Sequence, residues 1–306
     1  MPYPQLLRDR VVVVTGAGGG VGEGIARLAA AYGAGVLVND LGGGPNGVGS
    51  SVMPAQRVAE EINKSGGKAV ASTRSVAEWD SAHAIVQDAL DAYGRIDAVV
   101  NNAGILRDVI FHKMSREDWE LVRAVNLDGP FYLSRAAAPH FKAQNCGCFV
   151  HMTSTSGLIG NLAQANYSAA KLGLAGLSKS IALDMARFNV RSNCIAPFAF
   201  TRMVSTIPAN DEVNRRRLEM AKRMTPDKIA PLAVALMLDS AQGVTGQIFA
   251  SRMNELFLFN QHRPIRAAHT AEGWTPDAIA ERVFAAFKPS FVPLEKSADV
   301  FSWDPV

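Results

Sequence analysis

Tyr167 and Lys171 stand four residues apart in QANYSAAKLGLAGL, and Ser154 lies thirteen residues before the tyrosine in HMTSTSG. The stretch from Gln164 to about Arg187 is rich in Ala and Leu and holds no proline, so it reads as a helix. On a helix, residues four apart share a face, so the phenol and the ammonium project together. A nearby ammonium favours the phenolate and lowers a tyrosine pKa from its ordinary value of about 10. A phenol tuned this way can take a proton from an alcohol near neutral pH. Ser154 would then hold the substrate oxygen. The same spacing is common on amphipathic helices, so its meaning depends on what surrounds it.

A second chemical feature lies near the N-terminus. A valine strand, Val11 to Thr15, runs into Gly16-Ala17-Gly18-Gly19-Gly20-Val21-Gly22, and a helical pattern follows to about Tyr32. Strand, glycine turn and helix are the context a dinucleotide site needs. Glycines let the backbone approach a pyrophosphate, and a helix N-terminus offers free N–H groups and a positive dipole end. A second strand, Gly35 to Asn39, ends at Asp40, eighteen residues after Gly22. A carboxylate at about that distance accepts hydrogen bonds from ribose hydroxyls and repels a 2′-phosphate. The expected cofactor is therefore NAD rather than NADP.

These side chains need elements that bring them together. Strands are expected at about 11–15, 35–39, 68–72, 97–101, 147–153 and 190–196, alternating with helical segments. That alternation implies an α/β fold: a doubly wound, Rossmann-type parallel sheet with right-handed crossovers and helices on both faces. Ligands bind beyond the carboxyl ends of such strands, where Thr15, Asp40, Asn101 and Ser154 all fall. Leu41 to Val52 is a glycine-rich loop expected beside the adenosine. Thr225-Pro226-Asp227 reads as a helix start running to about Asp239, and Trp274-Thr275-Pro276-Asp277 as another running to Phe287. Val244 to Phe249 reads as a further strand. The expected organisation is one domain over 1–250 and an extension over 251–306, packed on the body or on a neighbouring subunit.

Thr15-Gly16-x-x-x-Gly20-x-Gly22, Asn101-Asn102-Ala103-Gly104, Asn126, Ser154, Tyr167 and Lys171 together resemble the motifs of the short-chain dehydrogenases/reductases in order and spacing. VNDLGG (38–43), GRIDAVVNNAGILRD (94–108), GNLAQANYSAAKLGL (160–174) and SNCIAP (192–197), followed by Arg202-Met203, narrow the resemblance. They are similar to the (3R)-hydroxyacyl-CoA dehydrogenase domain of peroxisomal multifunctional enzyme type 2, also called 17β-hydroxysteroid dehydrogenase type 4, and to its stand-alone bacterial relatives. The resemblance is strong over about 8–204 and fades toward 287.

It implies roles residue by residue. Tyr167 would be the base in oxidation and the acid in reduction. Lys171 would hold the nicotinamide ribose and lower the tyrosine pKa. Ser154 would orient the substrate oxygen, and Asn126 would hold a water that links Lys171 to solvent. Gly16, Gly20, Val21, Gly22, Asp40, Asn102, Ala103, Gly104 and Pro197 would line the cofactor, along with Tyr167 and Lys171. Ser75 and Val76 stand where the family often has Asp-Val to grip adenine, and the preceding Arg74 leaves some room for NADP. Pro197-Phe198 replaces the usual Pro-Gly, and Thr201 is the candidate contact to the nicotinamide amide. Phe198 and Phe200 would pack or line the substrate pocket. Residues 205–224 fall where family members carry a substrate lid.

The reaction implied by the resemblance is NAD-dependent oxidation of a 3-hydroxyacyl-CoA, of the 3R form and with a fatty-acyl or steroid side chain, to the 3-oxoacyl-CoA. The alternative is oxidation of a free steroid or another bulky secondary alcohol. A non-catalytic dinucleotide-binding scaffold is disfavoured because all four catalytic positions are intact. Partners would be a small-molecule substrate, an acyl-CoA thioester, and further copies of the chain in a homodimer or homotetramer.

Composition agrees with an enzyme of this kind. The chain has 306 residues, 48% of them apolar, enough for one large buried core. No apolar run is long enough to cross a membrane, and MPYPQLLRDR lacks the apolar segment of a signal peptide. SWDPV is not a peroxisomal address, so a cytoplasmic location is expected. A net charge of +3 is too small to imply nucleic acid. The basic cluster Arg215-Arg216-Arg217, Lys222 and Arg223 reads as a solvated helix face or as attraction for coenzyme A phosphates. Cys146, Cys148 and Cys194 do not form a disulfide framework, and the histidines show no ligand spacing, so no metal is expected. His151 reads as a structural histidine on the fifth strand.

Overall fold

The computed structural model describes residues 3–199, 212, 215, 219 and 222–306. Eight strands form one sheet in the order β3-β2-β1-β4-β5-β6-β7-β8. They are β1 (Val11–Thr15), β2 (Gly35–Asn39), β3 (Lys68–Ser72), β4 (Ala98–Asn101), β5 (Gly147–Met152), β6 (Val190–Phe198), β7 (Ile248–Arg252) and β8 (Glu255–Leu258). All neighbours run parallel except β7 and β8. The doubly wound α/β fold is thus as expected, with three differences. The strand expected over Val244–Phe249 lies over Ile248–Arg252 instead, and 244–247 form no strand. β6 runs on to Phe198. The apolar run at 255–259 becomes an antiparallel edge strand, because a tight turn at Met253 (φ 52°) reverses the chain onto β7.

Every residue of β1 and β2 is buried, as a sheet covered on both faces requires. Val12 and Val14 point into one core with Ile25 of α1 (Gly20–Ala31) and Val58 of α2 (Met53–Lys64). Val11 and Val13 point into the other, with Ile85 of α3 (Trp79–Tyr93) and Phe141 of α5 (Gly129–Gln144). This alternation is the two-residue period of a strand. α4 (Arg116–Arg123) joins α5 through a π turn, Ala124–Asp128. α6 (Thr155–Leu158) and α7 (Ala165–Met185) follow β5. The order of strand connection reverses between β1 and β4, which opens a crevice at their carboxyl ends.

The second half holds smaller departures. The helix expected from Thr225 starts as a 3-10 turn, Pro226–Ile229, before α8 (Ala230–Met237), and the Thr225 side chain makes no cap hydrogen bond. Thr275 does cap: its hydroxyl accepts from the Ala278 amide at 3.4 Å and opens α9, a helical run over 276–287 with a π turn at Ile279–Val283. α10 (Ser297–Val300) lies near the end. Among the described residues, no helix is long and apolar enough to cross a membrane. Thr201, Phe200, Arg202, Met203 and most of the expected lid at 205–224 lie outside the described residues. Of the basic cluster, Arg215, Lys222 and Arg223 are described, and all three are exposed on helix.

Candidate active site

The glycine turn sits at the end of β1, and its geometry explains its composition. Gly16 has φ +62°, and a Cβ there would lie 2.8 Å from the Ala103 Cα. At Gly22 a Cβ would lie 2.3 Å from the Gly16 carbonyl oxygen. No larger residue fits either place, so the first turn of α1 is held close against the strand end. α1 begins at Gly20, Gly19 caps it without a side chain, and Val21 packs beneath. Backbone N–H groups at such a terminus suit a pyrophosphate.

Thr15 ties the turn to the end of β4. Its hydroxyl donates to the Val100 carbonyl at 3.2 Å and accepts from the amides of Asn102 and Ala103, each at 3.1 Å. The Asn102 amide group donates to the carbonyls of Thr15 (2.8 Å) and Gly16 (3.1 Å). Asp40 stands at the end of β2. Its carboxylate accepts from the Gly18 amide at 2.8 Å and the Gly42 amide at 2.6 Å. Arg57, which the sequence did not single out, donates to the Gly18 carbonyl at 3.1 Å and pairs with Glu23 at 2.8 Å. A glycine cradle, a helix terminus and a carboxylate at the next strand end fit a nicotinamide dinucleotide.

The remaining cofactor candidates lie along the same crevice. The Ser75 hydroxyl accepts from the Ala77 amide at 3.2 Å, and Val76 is buried with its carbonyl against Gly129. Arg74 pairs with Asp88 at 2.8 Å, so its charge is engaged there. Pro197 is half-buried near the end of β6, beside Ser251 of β7. The glycine loop after Asp40 reaches further than expected. The Pro45 and Asn46 carbonyls accept from the Leu106 amide (3.0 Å) and Arg107 (3.1 Å), so the loop packs on the chain that leaves β4.

The catalytic candidates converge across β4, β5 and α7. Ser154 caps α6, with its hydroxyl accepting from the Ser156 amide at 3.1 Å. Tyr167 and Lys171 lie on the first turns of α7 and share a face. Lys171 is 3% exposed; its ammonium donates to the Met152 carbonyl at 2.8 Å and lies 5.5 Å from the centre of the Tyr167 ring. Burial lowers the Lys171 pKa to about 8, with Cys194 opposing. Asn126 sits in the π turn, fully buried. Its amide donates to the carbonyls of Ile105 (3.0 Å) and Val122 (2.9 Å), and its Oδ1 has no hydrogen-bond partner. π turns recur at functional sites because they re-aim one side chain. A Cβ on Gly104 would lie 2.7 Å from that Oδ1 and 3.5 Å from the Lys171 ammonium, so glycine leaves the space between them open.

The tyrosine differs from expectation. Its pKa is pushed up to about 12, chiefly by burial, while Ser154 pulls it down and the Asp108 charge pushes it up. The Lys171 charge is not among the influences on it; the ammonium lies over the ring, 5.5 Å from its centre, and its hydrogen bond goes to Met152. Asp108, the last residue of GRIDAVVNNAGILRD but given no role there, accepts from Gln164 at 2.9 Å.

His151 is structural, as read. Asn101 donates to its Nδ1 at 3.1 Å, and its Nε2 meets the Ser192 hydroxyl at 3.2 Å. Burial and the Lys171 charge lower its pKa to about 3, so it stays neutral. The three cysteines are free thiols.

Residues 10–212 match the family model described as short chain dehydrogenase. A short-chain type dehydrogenase/reductase of Mycobacterium tuberculosis is 48% identical over 230 residues, covering 75% of this chain and 78% of that one. Peroxisomal multifunctional enzyme type 2 of Mus musculus is 44% identical over 242 residues, covering 79% of this chain and 31% of that much longer enzyme. The crystal structure of a short chain dehydrogenase from Mycobacterium avium superposes with a TM-score of 0.81 at 34% identity, covering 94% of this chain and 97% of that one.

Proposed function

This chain belongs to the short-chain dehydrogenase family and is a nicotinamide-dependent oxidoreductase acting on CH–OH groups; from that premise we propose that it oxidises a 3-hydroxyacyl-CoA to the 3-oxoacyl-CoA with NAD. The observation that carries the reading is the grouping of Ser154, Tyr167, Lys171 and Asn126 beside a dinucleotide cradle that ends in the Asp40 carboxylate. The similarity to the mouse multifunctional enzyme over 242 residues supports the substrate class.

In this reading the Ser154 hydroxyl donates to the carbinol oxygen and aligns it with Tyr167. The Tyr167 phenolate takes the carbinol proton, and in the reverse direction the phenol returns it. When bound, the dinucleotide supplies the nicotinamide carbon that accepts the hydride and, in its oxidised form, a positive charge. Lys171 orients the nicotinamide ribose and gives up a proton readily, since burial has brought its pKa near neutrality. The unpartnered Oδ1 of Asn126 accepts from a water that carries the proton on toward solvent. Gly16 to Gly22 and Asn102 to Gly104 hold the cofactor backbone. Asp40 binds the adenosine ribose, Ser75 and Val76 the adenine, and Pro197 and Thr201 the nicotinamide end. The exposed Phe131 of α5 and the exposed Leu172 and Leu183 of α7 suit a homodimer or homotetramer built on those helices, in the cytoplasm.

The test is an absorbance assay for reduced nicotinamide with purified protein. It crosses NAD and NADP with short, long and steroid-side-chain 3-hydroxyacyl-CoA thioesters and their free alcohols. Turnover of thioesters with NAD supports the proposal. Turnover of free alcohols alone overturns it in favour of a steroid or general alcohol dehydrogenase.

A further inference from the structure

The end of the chain returns to both rims of the active site. Ser297 donates twice to the Gly160 carbonyl, from its amide at 3.0 Å and its hydroxyl at 3.2 Å. Gly160 lies in the loop that joins α6 to α7, between Ser154 and Tyr167. Its φ of +143° suits only glycine, and the Glu295 carbonyl lies 3.4 Å from where a Cβ would sit. Four residues after Ser297, the Phe301 ring packs edge-on against Phe198, centroids 4.8 Å apart. Phe198 directly follows Pro197 as the chain leaves β6. One short segment thus touches the loop before Tyr167 and the chain leaving β6.

A buried arginine fixes this segment. Arg252, at the end of β7, is 4% exposed. Its guanidinium donates to the Trp303 carbonyl and lies 5.2 Å from the Trp303 ring centre and 6.0 Å from that of Phe198. The Trp303 indole donates to Glu255 at 2.7 Å, and Glu255 lies 3.6 Å from Arg252. Burying a guanidinium is costly unless charge, carbonyl and aromatic faces surround it. Here most of those partners come from the last residues of the chain or from the strand they cover.

We propose that the segment 297–303 is a strap that ties the two rims of the substrate entrance together, that Arg252 is the positioning residue that latches it, and that the strap limits the size of substrate the site accepts. The size limit rests on the acyl-CoA reading; the tie between the rims does not. The loop carrying Gly160 is otherwise held by a few bonds, among them Asn161 to Ser156 at 3.0 Å and the Val109 amide to Ala163 at 2.8 Å. Without the strap, that loop and Phe198 are free to move apart, and a bulky acyl chain gains room.

The experiment uses the full chain carrying Ser297→Pro, Phe301→Ala or Arg252→Met; proline at the first position of α10 removes both the amide and the hydroxyl donor to Gly160. Thermal unfolding and NADH affinity by fluorescence identify any variant that fails to fold. Hydrogen exchange is then read for peptides covering 157–163 and 195–199. Release of the strap is expected to speed exchange there by roughly tenfold, the worth of about one hydrogen bond, while NADH affinity is retained. The ratio of kcat/KM for long over short 3-hydroxyacyl-CoA is expected to rise about tenfold, through KM. Unchanged exchange in folded Ser297→Pro and Phe301→Ala overturns the tie. Faster exchange with an unchanged size ratio overturns the selectivity. If the wild type turns over no thioester, the acyl-CoA reading has failed, and the exchange data still decide whether the strap ties the rims.

Discussion

The ammonium of Lys171 lies 5.5 Å from the centre of the Tyr167 ring and gives its hydrogen bond to the Met152 carbonyl. The two residues share a helix face as their spacing requires, yet the charge does not relieve the phenol. Burial wins over proximity: Tyr167 is pushed up to about 12 and Lys171 down to about 8. Both shifts favour the neutral forms, which is what desolvation does to an acid and a base alike. In the proposed reaction, activation of Tyr167 would then fall to the positive charge of the oxidised cofactor.

An ultraviolet difference titration tests this. Wild type minus Tyr167→Phe isolates the ionisation of one phenol. In the protein alone that step is expected well above the ordinary value of about 10. Added NAD should move it down. A Tyr167 step below the ordinary value without NAD would show that Lys171 lowers the pKa after all.

Tyr167→Phe removes only the hydroxyl. Turnover is expected to fall by roughly 10²–10⁴, the usual worth of a positioned general base. NADH affinity by fluorescence should stay within a few fold. A variant that keeps wild-type kcat would remove proton transfer by Tyr167 from the mechanism.

Local patterns carried much of this far, and physical reasons mark where they stopped. β1 and β2 were legible because a strand buried on both faces is an unbroken apolar run. The glycine turn was legible because Gly16 and Gly22 answer steric demands of the neighbouring backbone. Arg57 was not, since its role depends on α2 crossing α1 and bringing it to Gly18 across 39 residues. The role of Asp108 was hidden although its segment was marked, since Gln164 reaches it across 56 residues. The tail was least legible: Ser297 meets Gly160, 137 residues away, through bonds that no local pattern encodes. The spacing of Tyr167 and Lys171 reports proximity and says nothing of the desolvation that raises the tyrosine pKa.

Asp40 should decide between the two dinucleotides. Its carboxylate is held by the amides of Gly18 and Gly42, and in the proposed cofactor binding it would face a 2′-phosphate. Like charges brought together cost several kcal/mol. Asp40→Ala is expected to raise NADP use relative to NAD by roughly a hundredfold in kcat/KM. Arg57, bound to the same Gly18, is engaged by Glu23 and Glu61, so adding Arg57→Gln should leave that gain largely unchanged. An unchanged cofactor ratio in Asp40→Ala would mean that the preference lies elsewhere.

His151 predicts an acid weakness. Its folded pKa is about 3, against an ordinary 6.5. Between those values the unfolded chain binds a proton that the folded chain refuses. Stability is therefore complete above about 6.5 and falls as the pH drops, with a slope approaching ~1.4 kcal/mol per pH unit. Urea unfolding of wild type and His151→Gln should diverge in slope from about pH 6 downward, with the variant flatter. Parallel curves would show that His151 does not carry the effect.

Gly104→Ala tests the space between Asn126 and Lys171. The added methyl would lie 2.7 Å from the Asn126 Oδ1 and 3.5 Å from the Lys171 ammonium. Asn126 has little freedom to retreat, because its amide is bound to the carbonyls of both Ile105 and Val122. Overpacking a rigid site costs about 1–3 kcal/mol, which the whole fold can absorb. A shift of about 1 Å in a proton-transfer site can cost roughly a hundredfold in rate. The expected outcome is a folded protein with a small loss in unfolding temperature, NADH affinity within a few fold, and kcat lowered by roughly ten- to a hundredfold. Asn126→Ala, which removes the acceptor but leaves the space, should lower kcat similarly, and the double variant should add little to either because both act on one water path. If Gly104→Ala kept full kcat, or if the two losses multiplied, then Gly104 and Asn126 would not be serving the same path.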